Sequence, residues 1–328
     1  MIRASAPVRL DFAGGWTDVP PFATREGGVV VNAAIDLRVE AEFEPGGEGI
    51  LIHSEDLDLS TRITHATELV PDGRLELHKA ALRMFPTGPG VLRTRSAVPS
   101  GSGLGSSGAL DVVLVAVLCA ARGEILAPAE LATFAWQLEA VEAGIAGGRQ
   151  DQYAAALGGF HRFAFRGEEV GVQPLVLDAD FLAELERCIV ICYTGRSRVS
   201  GDTIVRVMGA YERGDASVCG ALLEMTAIAD RMASALEAGD LGRVGDLLTA
   251  NWSCQQQLDA GMRTEEMALL ESAMRGAGAL GGKAAGAGAG GSMFFLMGDD
   301  VESGVEAAQR AGARVLRTGW SAIGVEQC

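Results

Sequence analysis

Pro99-Ser100-Gly101-Ser102-Gly103-Leu104-Gly105-Ser106-Ser107-Gly108 lies between a strand-like segment, Val91 to Val98, and an apolar segment, Ala109 to Ala121, long enough for a helix. The order strand, glycine loop, helix start exposes main-chain N–H groups, which with the dipole of the following helix favour an anion, most often a phosphate. Glycines at alternate positions let the backbone take positive φ and approach a ligand closely, while Ser102, Ser106 and Ser107 supply hydroxyls for a phosphate or for metal-bound water. The stretch reads as a nucleotide phosphate cradle. Gly103 to Gly108 also matches the dinucleotide fingerprint G-x-G-x-x-G, a weak signal alone after so much β-rich sequence. The Walker A pattern is not met, because no lysine follows the last glycine. A flexible Gly/Ser linker is the plainest alternative. Linkers seldom run straight into a helix with an apolar body.

The 328 residues leave room for two domains of ordinary size. An apolar content of 48% and a mean hydropathy of +0.20 indicate a compact globular chain. The longest apolar run, Val112 to Ala121, is too short to span a bilayer, and Met1 to Ser5 begin no signal-peptide core, so a cytoplasmic location is expected. The net charge of −16 argues against a general nucleic-acid or anionic-membrane surface. Any phosphate must therefore be met by local cations and backbone amides. Lys79 and Lys283 are the only lysines, and Lys283 in a glycine-rich tract reads equally as a functional cation or a solvated loop residue. The six cysteines show no C-x-x-C spacing and read as free thiols, and the four histidines form no close pair. A Mg²⁺ held by oxygen ligands and phosphates would leave no such signature.

Residues 2 to 98 read mostly as β, with strands over Arg3 to Phe12, Val29 to Phe43, Gly49 to His53 and Ser60 to His65. Between the first two, the loop Ala13 to Phe22 combines Trp16, Thr17 and Asp18, an apolar wall beside hydrogen-bonding groups that suits a sugar; a turn with a packed Trp is the plainer reading. A short helix is expected over Leu75 to Phe85, and a longer one over Pro128 to Glu142, with Pro128 in its first turn. Asp151, in Gly147-Gly148-Arg149-Gln150-Asp151-Gln152-Tyr153, is either the N-cap of a small-residue helix ending at Leu157 or a catalytic carboxylate beside that helix start and Arg149. Phe160 to Phe165 and Cys188 to Tyr193 read as strands, Thr194 to Arg198 as a basic turn, and Thr203 to Leu280 as mostly helical. The tract Gly276 to Gly291 reads as a glycine turn. Met293 to Met297 follows as a strand, Asp299 to Ala311 as a helix, and Ala313 to Arg317 and Ala322 to Glu326 as two short strands.

Three motifs in order resemble the GHMP small-molecule kinases, the superfamily of galactokinase, homoserine kinase and mevalonate kinase. Ala6 to Gly15 resembles the first motif, Pro99 to Gly108 the second, P-x-x-x-G-L-G-S-S-A, and Lys283 to Gly291 the third. Gly14 to Pro21 is similar to fucokinases, and Val98 to Gly105 with Gly147 to Tyr153 to D-glycero-D-manno-heptose 7-phosphate kinases. The resemblance implies an α+β GHMP kinase fold in two domains. One is an N-terminal α/β domain like ribosomal protein S5, over 1–185, and the other a C-terminal ferredoxin-like α+β domain, over 186–328. It implies transfer of the ATP γ-phosphoryl group to a sugar C1 hydroxyl, most readily that of D-glycero-D-manno-heptose 7-phosphate, with a free sugar such as L-fucose as the alternative.

It further implies ATP on Pro99, Gly101, Ser102, Gly103, Leu104, Gly105, Ser106, Ser107 and Gly288, and Mg²⁺ near Ser107 and Glu139. Asp151 matches the catalytic aspartate, with Arg9 and Arg149 as supporting cations. Asp18, Thr17, Trp16, Gly148 and Arg196 are implied on the sugar side, and Arg196, Arg198 or Arg149 are candidates for a sugar's own phosphate. Gly108 replaces the usual Ala, a mild change at a helix start. Ala289 replaces a glycine, strained if φ must be positive, and Ser292 stands where relatives often have an aromatic. Partners expected are a small sugar or sugar phosphate, with no nucleic acid or membrane, in a monomer or homodimer. Two rival classes remain. A dinucleotide oxidoreductase would use Glu124 as its acidic residue but lacks a following parallel strand, and a non-catalytic sugar or nucleotide sensor would be expected to lose Asp151, Glu139 or Ser107.

Overall fold

The computed structural model describes residues 1–196 and 201–328. Its elements run β1 (Ile2–Ala13), α1 (Phe22–Arg25), β2 (Gly28–Pro45), β3 (Ile50–Ser54), β4 (Leu59–Ile63), α2 (Glu76–Met84), β5 (Gly90–Ser96), α3 (Ser106–Ala121) and α4 (Pro128–Gln137). They continue through α5 (Gln150–Leu157), β6 (Phe160–Arg166), β7 (Glu169–Pro174), α6 (Ala179–Cys188), β8 (Ile189–Tyr193) and four helices, α7 (Gly201–Glu212), α8 (Ala216–Glu237), α9 (Leu241–Gln255) and α10 (Glu265–Gly276). The chain ends with β9 (Ala279–Ala284), β10 (Ser292–Met297), α11 (Val301–Arg310), β11 (Arg314–Leu316) and β12 (Glu326–Gln327).

Two sheets organise these elements. The first follows the order β12-β1-β2-β5-β3-β4, with β6 and β7 branching from β2, and the second is β11-β8-β10-β9. The 18-residue β2 is long enough to serve two neighbours on one edge, β6 along Gly28 to Ala33 and β5 along Val39 to Pro45. Its other edge pairs with β1 between Val31 and Phe43, with register shifts at Pro7/Val8 and Asp11/Ala13. The first shift falls where proline lacks an N–H for the ladder. Alternation along β1 then sends Leu10 and Phe12 into the core and puts Arg9 and Asp11 on the opposite face. The apolar α3 is buried all round, against β1 and β2 on one side and α4 and α5 on the other.

Most expected elements are present, with instructive differences. The helix expected over Pro128 to Glu142 is α-helical to Gln137 and then forms a π turn over Leu138 to Glu142. Within the glycine tract, Ala279 to Ala284 is a strand, β9, because the bare Gly281 lets α9 approach: a Cβ there would lie 1.9 Å from the Gly245 carbonyl oxygen. The strand expected over Ala322 to Glu326 reduces to Glu326 and Gln327, paired with Ser5 and Ala4 of β1. Strand β7 and helix α6 went unread; Asp178, which caps α6 by accepting from the Asp180 and Phe181 N–H groups, was the available signal. Trp16, Val19 and Phe22, from the first sheet's opening loop, sit in the hydrophobic cluster of the second half beside Ile204 and Met225. The loop therefore pins the two halves together.

Candidate active site

A cleft of about 500 Å³ opens where the glycine loop, the β1 face, the N-terminus of α5 and the second glycine turn converge. Gly101, Gly103 and Gly105 all have positive φ, between 70° and 81°. Gly105 precedes α3 without any side-chain cap, so the first-turn N–H groups of α3 are left for a ligand. A Cβ at Gly105 would come within 3.2 Å of the Asp151 carboxyl carbon and 3.3 Å of Arg9 Cγ. The loop thus leaves room where those two side chains meet.

Arg9 is the hub. Its Nε and Nη2 donate to Asp151 Oδ1 at 2.8 and 2.7 Å. Its Nη1 donates to the carbonyls of Gly103 at 2.8 Å and Ala285 at 2.9 Å. One buried guanidinium joins the phosphate loop, the α5 carboxylate and the second glycine turn, a fork that a lysine would not reproduce. Asp151 is not the N-cap of α5; Arg149 occupies that position, and Asp151 stands in the first turn with its carboxylate facing the cleft. Glu139, in the π turn, accepts from Gln152 Nε2 at 2.7 Å and shares a hydrogen bond with the Ser107 hydroxyl. Burial and then the Asp151 charge push its pKa up to about 7. A hydroxyl and a carboxylate beside a phosphate cradle suit a hard divalent cation that keeps most of its ligands from water and phosphate.

On the acceptor side, Asp18 lies almost fully buried, with Oδ2 accepting from the Arg149 and Gln150 N–H groups at 2.9 and 3.0 Å. Gly148 makes room for it, since a Cβ there would fall 1.9 Å from Oδ2. Trp16 lines the same end, with φ of 86° and a buried indole N–H that has no partner among the described residues. Lys283 is not a solvated loop residue: on β9 it is fully buried, donating to Asp11 Oδ2 at 2.8 Å, to the Asp11 carbonyl at 2.6 Å and to the Ala284 carbonyl at 2.9 Å. Burial lowers its pKa and Asp11 opposes that fall. Asp11 itself lines the cleft.

Several residues expected at the ligand are held elsewhere. The Arg149 guanidinium lies 4.2 Å over the Trp136 ring and donates to the Glu168 carbonyl, so only its main-chain N–H serves the site. Thr17 ties down the loop, donating to the Gly14 carbonyl at 2.7 Å and accepting from the Val29 N–H. Pro99, Ser102 and Leu104 support the cradle from behind; the Ser102 and Leu104 carbonyls accept from the Ser292 and Arg9 N–H groups. Gly288 turns toward Met262, and the third motif offers Gly286 and Ala287 to the cleft instead. Arg196 is exposed and paired with Glu266, and Arg198 lies outside the described residues. Ala289 has φ of 58°, the left-handed conformation that burdens an L side chain. Gly108 is not a mild exchange, because a Cβ there would meet Asp151 Cβ at 2.6 Å. Besides Asp11, the sequence gives no separate sign of Gln150, whose side chain lines the cleft with an Oε1 that has no partner among the described residues.

The family description "GHMP kinases N terminal domain" matches residues 75–159, and "GHMP kinases C terminal" matches residues 232–314. The chain is 32% identical, over 90% of its length and 89% of the relative, to a D-glycero-alpha-D-manno-heptose 7-phosphate kinase of Campylobacter jejuni. It is 28% identical to the bifunctional fucokinase/GDP-fucose pyrophosphorylase of Arabidopsis thaliana, over 94% of this chain and 31% of the longer plant protein. The crystal structure of a D-glycero-D-manno-heptose 1-phosphate kinase from Bacteriodes thetaiotaomicron superposes with a TM-score of 0.80 at 26% identity, covering 100% of this chain and 99% of that one. The fold is therefore that of a two-domain α+β small-molecule kinase. This chain belongs to the GHMP kinases, and within them it is an ATP-dependent sugar kinase. Among the described residues no helix is long and apolar enough to cross a membrane.

Proposed function

We propose that the chain transfers the ATP γ-phosphoryl group to the anomeric hydroxyl of a sugar, D-glycero-D-manno-heptose 7-phosphate in the first instance, with Asp151 as the proton acceptor. The observation that carries this reading is the Arg9 fork, which holds the Asp151 carboxylate against the phosphate loop. The 32% identity to a heptose 7-phosphate kinase supports the acceptor. Phosphoryl transfer asks a protein chiefly for positioning and charge neutralisation. Here the α3 N-terminus and the loop amides receive the ATP phosphates, and the Arg9 guanidinium offsets charge on the transferring group. Asp151 takes the proton as the sugar oxygen bonds to the γ-phosphorus and the bond to ADP breaks. Asp11, Asp18 and Gln150 face the acceptor's hydroxyls, with the Trp16 ring as an apolar wall. Ser107 and Glu139 are the residues that would hold Mg²⁺, which when bound would supply neutralisation of the phosphate charge.

The Trp16 loop and the likeness to a fucokinase favour a second acceptor, free L-fucose. Coupled ADP release over a panel of sugars and sugar phosphates separates the two. Activity on free fucose with none on heptose 7-phosphate rejects the first. Asp151→Asn is expected to lower kcat by about 10²–10⁴-fold while nucleotide binding, read by thermal shift with Mg-ATP, stays near the parent's. Near-full turnover in that variant would remove Asp151 from the proton-accepting role.

A further inference from the structure

We propose that Asp111, one helical turn beyond Ser107 on α3, is a positioning residue for Glu139 and acts through the side-chain amide of Gln152. The inference rests on Ser107 and Glu139 being the residues that hold Mg²⁺. Ser107, Leu110 and Glu139 line the cleft, and Asp111 stands behind them with no exposed surface. The bare Gly108 brings α3 against α5 at this level, since a Cβ there would fall 3.0 Å from the Gln152 main-chain nitrogen. Asp111 is the next position along that face of α3, and the Gln152 side chain lies against its carboxyl. The same amide donates from Nε2 to Glu139 Oε2 at 2.7 Å. Gln152 is therefore a bridge with Glu139 at one end and Asp111 at the other.

Asp111 is the only acidic or basic residue of α3. Neither of its oxygens has a partner in hydrogen-bonding geometry among the described residues, and Gln152 Oε1 has none either. The charges that reach it are those of Glu139 and Asp151, both negative, and a further buried carboxylate beside them without a cation is costly. A neutral carboxyl carries one O–H donor and keeps an acceptor oxygen. That donor is what Gln152 Oε1 lacks. With Oε1 held by Asp111 the amide cannot turn over, so Nε2 stays aimed at Glu139, and Glu139 keeps the hydrogen bond it shares with the Ser107 hydroxyl. For stability alone a well-packed apolar side chain would serve α3 as well or better. The carboxyl is accounted for by what it holds.

The test compares Asp111→Ala, Asp111→Asn, Gln152→Ala and the double variant Asp111→Ala/Gln152→Ala with Glu139→Gln. Mn²⁺ affinity in the presence of AMP-PNP is read by electron paramagnetic resonance, and the Mg²⁺ dependence of ADP release is followed with heptose 7-phosphate and with L-fucose. Loss of an outer partner that orients a metal ligand costs about 10–100-fold. Asp111→Ala is accordingly expected to weaken Mn²⁺ binding by about that factor and to raise the Mg²⁺ needed for half-maximal turnover alike, with the acceptor KM held within about threefold. Asp111→Asn keeps a donor and an acceptor in place and is expected to stay within about threefold of the parent. The double variant is expected to be no more than about threefold worse than either single one, because the two residues act in series. An asparagine no better than alanine, losses that multiply in the double variant, or unchanged Mn²⁺ affinity in Asp111→Ala would each overturn the inference. If Asp111→Ala does not fold, Asp111→Leu fills the space without a polar group and is read in the same way. If Glu139→Gln binds Mn²⁺ as the parent does, the metal assignment falls alone. Exchange of the Gln152 side-chain amide protons, expected to quicken in Asp111→Ala and to stay slow in Asp111→Asn, then decides whether Asp111 holds the bridge to Glu139, and unchanged exchange would overturn it.

Discussion

Burial pushes the pKa of Asp18 up to about 6 from 3.8; the Gln150 N–H works against the shift, and Asp151 and Asp11 add to it. The unfolded chain gives up this proton near 3.8 and the folded chain near 6, so between those values the folded state binds more protons. Stability from this group is full below about pH 4 and is lost as pH rises toward 6. At 1.36 kcal/mol per pKa unit the loss is roughly 3 kcal/mol. Asp18→Asn carries no such charge. Its melting temperature is expected to pull ahead of the parent's between pH 4 and 6 and hold a constant lead above; parallel curves across that range would contradict the shift. At this scale the sequence names the reacting residue types but not their partners. The capping bonds of Asp18 are hidden because the two N–H groups lie more than a hundred positions away, and Lys283 reads two ways because its counterion, Asp11, is 272 positions distant. Arg149 misleads for the same reason: the Trp136 ring that draws its guanidinium outward shares no local pattern with it.

Elements were the more readable level, because periodicity and glycine placement act locally. The cradle, β1, β2 and the apolar α3 follow from alternation and runs that the chain displays openly. The strand β9 did not, since Gly281 and Gly282 belong to a strand only once α9 and Phe295 lie against them. Nor did the π turn that carries Glu139, because the helical stretch ends within that turn and no later apolar position displays the shifted register. The contact of α3 with α5 gives a sharp prediction. Gly108→Ala puts a methyl against Asp151 Cβ and main chain, and overpacking of this kind costs about 1–3 kcal/mol. The helices are expected to part, lowering kcat by at least about tenfold through the displaced carboxylate, with the KM for ATP little changed. A variant as active as the parent would show that α5 can give way without moving Asp151.

For the molecule as a whole, the site is also the joint. Arg9 and Asp11 on the first sheet meet Ala285 and Lys283 from the second half, and Gln255 of α9 donates to the Gly286 carbonyl at 2.8 Å. The last strand, β12, returns to the first sheet beside β1, so the proposed division at 185/186 cuts a chain whose end rejoins its beginning. Lys283→Met leaves Asp11 as an unpaired buried carboxylate and is expected to cost about 3–5 kcal/mol, partly restored by adding Asp11→Asn. Urea unfolding followed by far-UV circular dichroism measures both; a double variant no more stable than the single one would mean that the lysine's own packing, not the pairing, is what was lost.

Arg9 precedes its carbonyl acceptor at Ala285 by 276 positions. During synthesis on the ribosome, Arg9 and Asp11 therefore wait, one without its far acceptor and the other without its cation, until the second glycine turn has emerged. A chain released before that point would hold Arg9 on the phosphate loop and on Asp151 but would leave Asp11 a buried carboxylate without its cation. The joint between the two halves is therefore closed only when the second glycine turn reaches the face of β1.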